Sequence, residues 1–463
     1  MKKFISLMVL AGFILGFAGC QNLAVLPSSL NSSYHIAYAH PYDEDRLLIS
    51  YVEYEGEVGA GKELGREYFL MSVKDKSLEK VLSSFDRSIY FDFNAYHPFD
   101  FHDFVALNKA SSSSSSYEIG RFDSNTQRYT SLIENDSVEL LSDSINDDQV
   151  IFCYNDDPDK RENKDVFIMD RKGSLIHTIP LGVYATISRD FVRLDESRSC
   201  FTGWNGPLGK VQYPGVVFFF NHKLNSVTPL KEQDTYFDYV GIIDHHALIQ
   251  IDDKKNATSA TFYLYDFDGN RKKELFSIDH ATWNRDLKIF INDETQSIYV
   301  AYISIDKQYK IMKYQLGEGS LGEVFNCKVD GNTENLWDIA YNGQEDLLSF
   351  LVKDRVDKWY ILDLKNDQED LILPPKNSEC QLSDDGRNLL CLNCLGKPKN
   401  HGVINYKEKV LNPFNKKMDV FGVGKFYVSA SQEFYFSSND DKHHRMLFSV
   451  NPKGEINDIE FEK

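Results

Sequence analysis

The feature that most constrains this chain is an internal repeat. An alternating run of Val, Ile, Leu, Tyr and Phe is followed by a polar turn and a second short β-prone run, and the pattern recurs through the chain. Clear copies are Thr261–Phe276, Asp165–His177, Lys358–Leu373 and Arg445–Ile456. Weaker ones lie at Tyr68–Leu82, Tyr117–Ile133, Val216–Leu230, Tyr309–Phe325 and Val403–Leu411. The turns carry Asp, Asn and Gly, which tolerate positive φ and hydrogen-bond their own backbone. Adjacent turns are about 42 to 51 residues apart, the spacing of propeller blades.

Two further strand candidates precede each hairpin, as Tyr239–Ile243 and Ala247–Ile251 precede Thr261, and Leu336–Tyr341 and Leu347–Val352 precede Lys358. Four strands per unit, repeated radially, make a β-propeller. Sustained helical periodicity is nearly absent beyond the N-terminus. The expected fold class is therefore all-β: a propeller of about eight four-stranded blades, with seven as the alternative. About nine units are counted, and eight supposes that one outer unit is shared in ring closure or decorates the edge. A β-sandwich array is the competing arrangement, but the even rhythm from residue 35 to 460, with no Pro/Gly-rich linker, opposes it.

Composition can fill such a fold. Hydrophobic residues are 42% of the chain and aromatics 13%, with 32 Phe and 26 Tyr, residues that suit a pleated, half-buried surface. The formal net charge of -19 excludes attraction to nucleic acid through its phosphates, which needs basic patches. It also excludes a polybasic attachment to anionic lipid.

The N-terminus has its own logic. Lys2 and Lys3 precede an uncharged apolar run from Phe4 to Phe17, which small residues Ala18 and Gly19 connect to Cys20. That run is about 14 residues, short of the roughly 20 needed to span a bilayer, so it reads as a secretory signal. Phe17-Ala18-Gly19-Cys20 resembles the lipobox of bacterial lipoproteins, with Phe17 where Leu is usual. The resemblance implies cleavage between Gly19 and Cys20 and acylation of Cys20, whose lipid then anchors the protein. Gln21, which is not Asp, implies the outer membrane. The expected organisation is a signal peptide at 1–19, a lipidated polar tether at 20–33 and a propeller domain at 34–463. A second resemblance is confined to one turn: Leu382-Ser-Asp-Asp-Gly-Arg-Asn-Leu-Leu-Cys391 is similar to the S-P-D-G-(K/R) turn of WD40-like repeats in periplasmic TolB-type propellers, with Asp384 where Pro is usual. It bears on fold rather than activity.

No catalytic residue, metal site or cofactor is predicted. Gly56 to Lys62 fits GxxxxGK, but Glu63 occupies the Ser/Thr position and no helix follows. No G-x-S-x-G elbow is present. Cys391 and Cys394 have CxxC spacing within a strand, where residues three apart face opposite ways. Cys380 and Cys391, on neighbouring strands, are a candidate pair. His97, His102-Asp103, Asp244-His245-His246 and His443-His444 read as loop or edge residues, Asp156 to Asp159 and Asp440-Asp441 as solvated turns, and Ser111 to Ser116 as an inter-strand loop. The function expected is a membrane-anchored, non-enzymatic binding or scaffolding module of the cell envelope, with envelope proteins or glycans as partners and no nucleic acid. The alternatives are a propeller enzyme acting on glycans or esters, and an accessory subunit of an outer-membrane assembly or uptake machine.

Overall fold

The computed structural model describes residues 34–41, 45–55, 62–84, 89–90, 104–110, 116–123, 128–135, 138–142, 149–154, 165–170, 174–180, 186–204, 215–224, 226–230, 235–253, 258–280, 287–328, 338–352, 357–376, 378–393, 401–416, 423–428, 431–439 and 445–459. All regular structure among them is β. The strands form nine four-stranded antiparallel sheets, each made of four consecutive strands in sequence order. This is the blade arrangement of a β-propeller.

The sheets used below are the first (Tyr34–Pro41, Arg46–Glu55, Lys62–Ser72, Leu78–Ser84), the fifth (Thr235–Ile243, His246–Asp253, Ser259–Tyr265, Arg271–Asp279) and the sixth (Lys288–Asn292, Ser297–Ile303, Gln308–Gln315, Ser320–Lys328). The seventh comprises Ile339–Asn342, Leu347–Val352, Lys358–Asp363 and Gln368–Ile372, and the eighth Ser378–Leu382, Asn388–Asn393, Gly402–Asn405 and Leu411–Pro413. The ninth comprises Val423–Val428, Glu433–Asn439, Arg445–Val450 and Ile456–Asp458.

Each repeat read from sequence is the hairpin between the third and fourth strands of one sheet. Thr261 pairs with Ser277, Ile168 with His177, Trp359 with Ile372 and Val450 with Ile456. The turn chemistry is also as expected. Asp266 Oδ1 accepts the Asn270 amide at 2.8 Å, Asp170 Oδ1 the Ser174 amide at 2.7 Å and Asn451 Oδ1 the Lys453 amide at 3.0 Å. A side-chain acceptor at the turn's first position thus takes amides that the ladder leaves unpaired. Among the described residues there are nine sheets where eight blades were expected. Among the described residues, no sheet draws strands from both chain ends.

Burial follows position within a sheet. Ser297–Ile303 and Leu347–Val352, both second strands, are buried at every residue. Fourth strands such as Arg271–Asp279 alternate exposed and buried residues toward one end. A second strand covered on both faces is uniformly apolar or small, whereas a fourth strand faces solvent.

By contact the chain divides into two units, Met1–Ser88 with Leu390–Lys463, and Ile89–Leu389. Within the former, the first and ninth sheets share a core of Leu47, Ile49, Phe69, Met71, Tyr435 and Leu447. Within the latter, Leu248, Phe262 and Phe276 of the fifth sheet pack on Ile298 and Val300 of the sixth. Ile311 and Phe325 of the sixth pack on Phe350 and Tyr360 of the seventh, with Phe325 and Phe350 edge to face at 5.1 Å.

Candidate functional site

The first two strands of the eighth sheet are joined by the Ser383-Asp-Asp-Gly-Arg-Asn turn singled out in the sequence. Ser383 Oγ donates to Asp385 Oδ1 at 2.6 Å and accepts the Asn388 amide at 2.9 Å, while the Gly386 amide donates to the Ser383 carbonyl at 2.9 Å. Gly386 has φ 69°, and a Cβ there would stand 2.8 Å from the Ser349 Cβ, so the turn requires glycine for conformation and for space. Arg387 then reaches the seventh sheet's first turn, where Nη2 lies 2.8 Å and Nε 3.1 Å from the two Glu345 carboxylate oxygens. This fork is geometrically specific.

Where this turn meets the first strands of the sixth and seventh sheets there is a cleft of 380 Å³, lined by Phe290, Asp338, Ile339, Ala340, Tyr341, Gln381, Leu382, Ser383 and Asp384. Phe290 and Tyr341 form an angled aromatic wall, with centroids 5.8 Å apart and planes at 50°. The Tyr341 hydroxyl is already committed: it donates to Asp346 Oδ1 at 2.7 Å and accepts from Asn292 Nδ2 at 2.7 Å. Asp346, at φ 52°, also takes the Tyr299 hydroxyl at 3.2 Å. Burial first, then the hydrogen bond to Asp346, push the Tyr341 phenol well above its ordinary value.

Two carboxylates line the cleft, Asp384 exposed and Asp338 half-buried. Partial loss of hydration, then the neighbouring Asp385 charge, raise the Asp384 carboxyl above the usual range. Asp338 is tied through its carbonyl, which accepts the Leu351 amide at 2.8 Å. None of the residues lining the cleft is basic.

A second acidic feature lies in the fifth sheet. Asp238 and Gln250 are directly paired across its first two strands, as are Tyr236 and Asp252, so all four side chains share one face. Gln250 Nε2 donates to both Asp252 oxygens at 3.1 and 3.0 Å. Burial raises Asp252 to about 6 against this bond, and the Asp238 charge adds to the rise.

The residues singled out in the sequence scatter. Asp244 and His245 form the tight turn between the first two strands of the fifth sheet, at φ 48° and 58°, and His246 opens the next strand with Nδ1 2.6 Å from the Asp244 carbonyl oxygen. Among the described residues no group of three His, Cys, Asp or Glu could hold a metal. Cys380 and Cys391, a candidate pair, are both buried and not joined in a disulfide; Cys380 Sγ points to the Ser378 carbonyl at 4.0 Å. Lys62 opens a strand. Gly19, Cys20, Gly56 to Gly61, His97, His102, Asp103, Ser111 to Ser115, Asp156 to Asp159, Cys394, Asp440, Asp441, His443 and His444 lie outside the described residues. Among the described residues, no helix is long and apolar enough to cross a membrane.

Sequence reasoning located the Ser383–Asn388 turn and the strand carrying Tyr341 but missed the cleft. One signal was available: Phe290 and Tyr341 each sit one or two residues before a polar turn, on short inner strands of adjacent repeats.

No protein-family model matches the chain, and no curated protein does. Solved structures do. A structure described as the eukaryotic initiation factor aligns over 85% of this chain and 96% of its own at 14% identity, with a TM-score of 0.49. The β-propeller domain of the Trilobed protease from Pyrococcus furiosus aligns over 92% and 98% at 10% identity, with a TM-score of 0.40. The acylaminoacyl peptidase of Pyrococcus horikoshii aligns over 75% and 55% at 11% identity, with a TM-score of 0.36. Likenesses this distant carry no activity across, and the architecture stands on the sheets themselves.

Proposed function

We propose that this chain is a cell-envelope lipoprotein, lipid-anchored through Cys20, whose blades form a non-enzymatic binding module with the Phe290–Tyr341–Asp384 cleft as its ligand site. The observation that carries the reading is the cleft itself. The first strands of three successive sheets line a concavity with an aromatic wall and a few fixed polar groups, the usual make-up of a binding site. The hydrogen bonds of Ser383 and Tyr341 are spent on holding the walls, which suits a preformed receptor better than a reacting centre. The lipobox-like Phe17–Cys20 supports the anchor, and Gln21 supports the outer membrane. Envelope proteins or glycans are the partners this placement suggests.

The test is photocrosslinking in intact cells with p-benzoylphenylalanine at Gln381, in the cleft, against the same probe at exposed Leu373. A discrete adduct from Gln381 but not Leu373, lost in a Cys20→Ser variant that no longer incorporates a palmitate analogue, is the expected result. Equal adducts from both positions would remove the cleft as the ligand site. Unchanged membrane retention and no acylation at Cys20 would remove the anchor.

A further inference from the structure

We infer that the cleft between the inner strands of the sixth, seventh and eighth sheets binds a cationic side chain, the ammonium or guanidinium group of a basic peptide. This rests on the reading of that cleft as the ligand site and assigns its ligand class. Three observations converge. Two carboxylates line the cleft from different repeats, Asp338 just before the seventh sheet's first strand and Asp384 just after the eighth's. The wall between the sixth and seventh sheets is aromatic, made by Phe290 and by Tyr341, whose hydroxyl is held by Asp346 and Asn292. No lining residue supplies a positive charge, and the one nearby cation on the turn, Arg387, is engaged by the Glu345 carboxylate.

An aromatic face attracts a cation through its quadrupole, and a carboxylate adds a charge-assisted hydrogen bond. A neutral sugar would gain stacking on Phe290 and Tyr341 but nothing from the carboxylate charge. An anionic ligand would be repelled by it. Gln381 adds a polar side chain at the strand end, beside the carboxylates. The formal net charge of -19 would draw a basic peptide to the surface before it reaches the cleft.

The experiment is calorimetric titration of the protein with four probes: the peptides Ac-Ala-Lys-Ala-Ala-NH2, Ac-Ala-Arg-Ala-Ala-NH2 and Ac-Ala-Glu-Ala-Ala-NH2, and a neutral N-acetylglucosamine tetramer. The two basic peptides should bind and the other two should not. Asp384→Asn, at the exposed rim and harmless to the core, should weaken the basic peptides about tenfold, in line with loss of one charge-assisted contact. Gln381→Lys, which places a competing ammonium in the cleft, should abolish their binding, while a thermal melt reports that the fold is intact. Binding of the glutamate peptide or sugar that Gln381→Lys blocks, without binding of the basic peptides, would overturn the cationic assignment and leave the site standing. Basic peptides bound with unchanged affinity in both variants, or no binding by any probe, would overturn the assignment and the site together.

Discussion

Lys76 Nζ donates to Glu433 Oε2 at 2.6 Å, tying the first sheet's last turn to the second strand of the ninth, 357 residues on. The same ammonium reaches the Tyr435 hydroxyl at 2.5 Å, and that hydroxyl donates to Glu433 Oε2 at 2.9 Å. Lys76 itself sits at φ 60°. Among the described residues, the first and ninth sheets thus share packing around Leu47, Phe69 and Leu447 with this polar clasp at its edge, and no strand is shared between them.

Removing the lysine should expose the importance of that clasp. The Glu433 side chain keeps only 12% of its exposure, so Lys76→Met leaves a largely buried carboxylate without its cation. The expected loss is about 2 kcal/mol, because an orphaned charge costs more than the pair contributes. Urea denaturation should show a lower midpoint, and the double variant Lys76→Met/Glu433→Gln should recover part of the loss. Equal midpoints in wild type and Lys76→Met would show the clasp to be incidental.

Gly386 offers a sharper local test. Alanine there combines a left-handed backbone with a Cβ contact of 2.8 Å to Ser349, whose hydroxyl also accepts the Trp359 indole N–H at 2.5 Å. Gly386→Ala should cost about 2 kcal/mol from conformation and crowding together. Trp359 is fully buried, so its fluorescence should shift if the crowding displaces Ser349. A melt within a degree of wild type would mean that the turn relaxes freely.

The Ser349–Trp359 bond gives a further prediction. Ser349→Ala leaves a buried indole donor without its acceptor and should cost about 1–2 kcal/mol. In a Trp359→Phe background the same serine change should cost clearly less, because no donor is stranded. A double-mutant cycle in urea measures the difference, and additive losses would refute the coupling.

These contacts differ in how far the sequence discloses them. The hairpins were legible because their signal is local: Asp266, Asp170 and Asn451 each cap a turn that closes within a few residues, flanked by strands rich in Val, Ile, Tyr and Phe. Sheet number was less legible, since the way chain ends close is a long-range property that alternation does not encode. The cleft was not legible at all. Phe290, Tyr341 and Asp384 come from three repeats about 45 residues apart, a blade-length spacing, and each looks like an ordinary strand or turn residue alone. The Ser383 turn was noticed through family likeness, but only the packing of Gly386 on Ser349 and the Arg387–Glu345 fork reveal how it fixes a wall of the site.

The last prediction concerns pH. Asp252 is 8% exposed, and burial first, then the Asp238 charge, raise its carboxyl from 3.8 to about 6 although Gln250 donates to both oxygens. A carboxyl whose folded value lies above its unfolded one contributes full stability below the unfolded value and loses it as pH rises through the folded value. The loss therefore falls between about pH 4 and pH 6 and amounts to about 3 kcal/mol. Asp252→Asn keeps an acceptor for Gln250 and removes the charge. At pH 4 it should match wild type, and above pH 7 it should be more stable by about that amount. Differencing the two proteins at each pH cancels the carboxylates that do not interact with Asp252, including Asp266, which Lys272 and Asn270 hold at about 2 against partial burial. Urea midpoints at pH 4 and pH 7.5 decide it. A stability difference that does not change with pH would mean that Asp252 ionises at its ordinary value and that water reaches it.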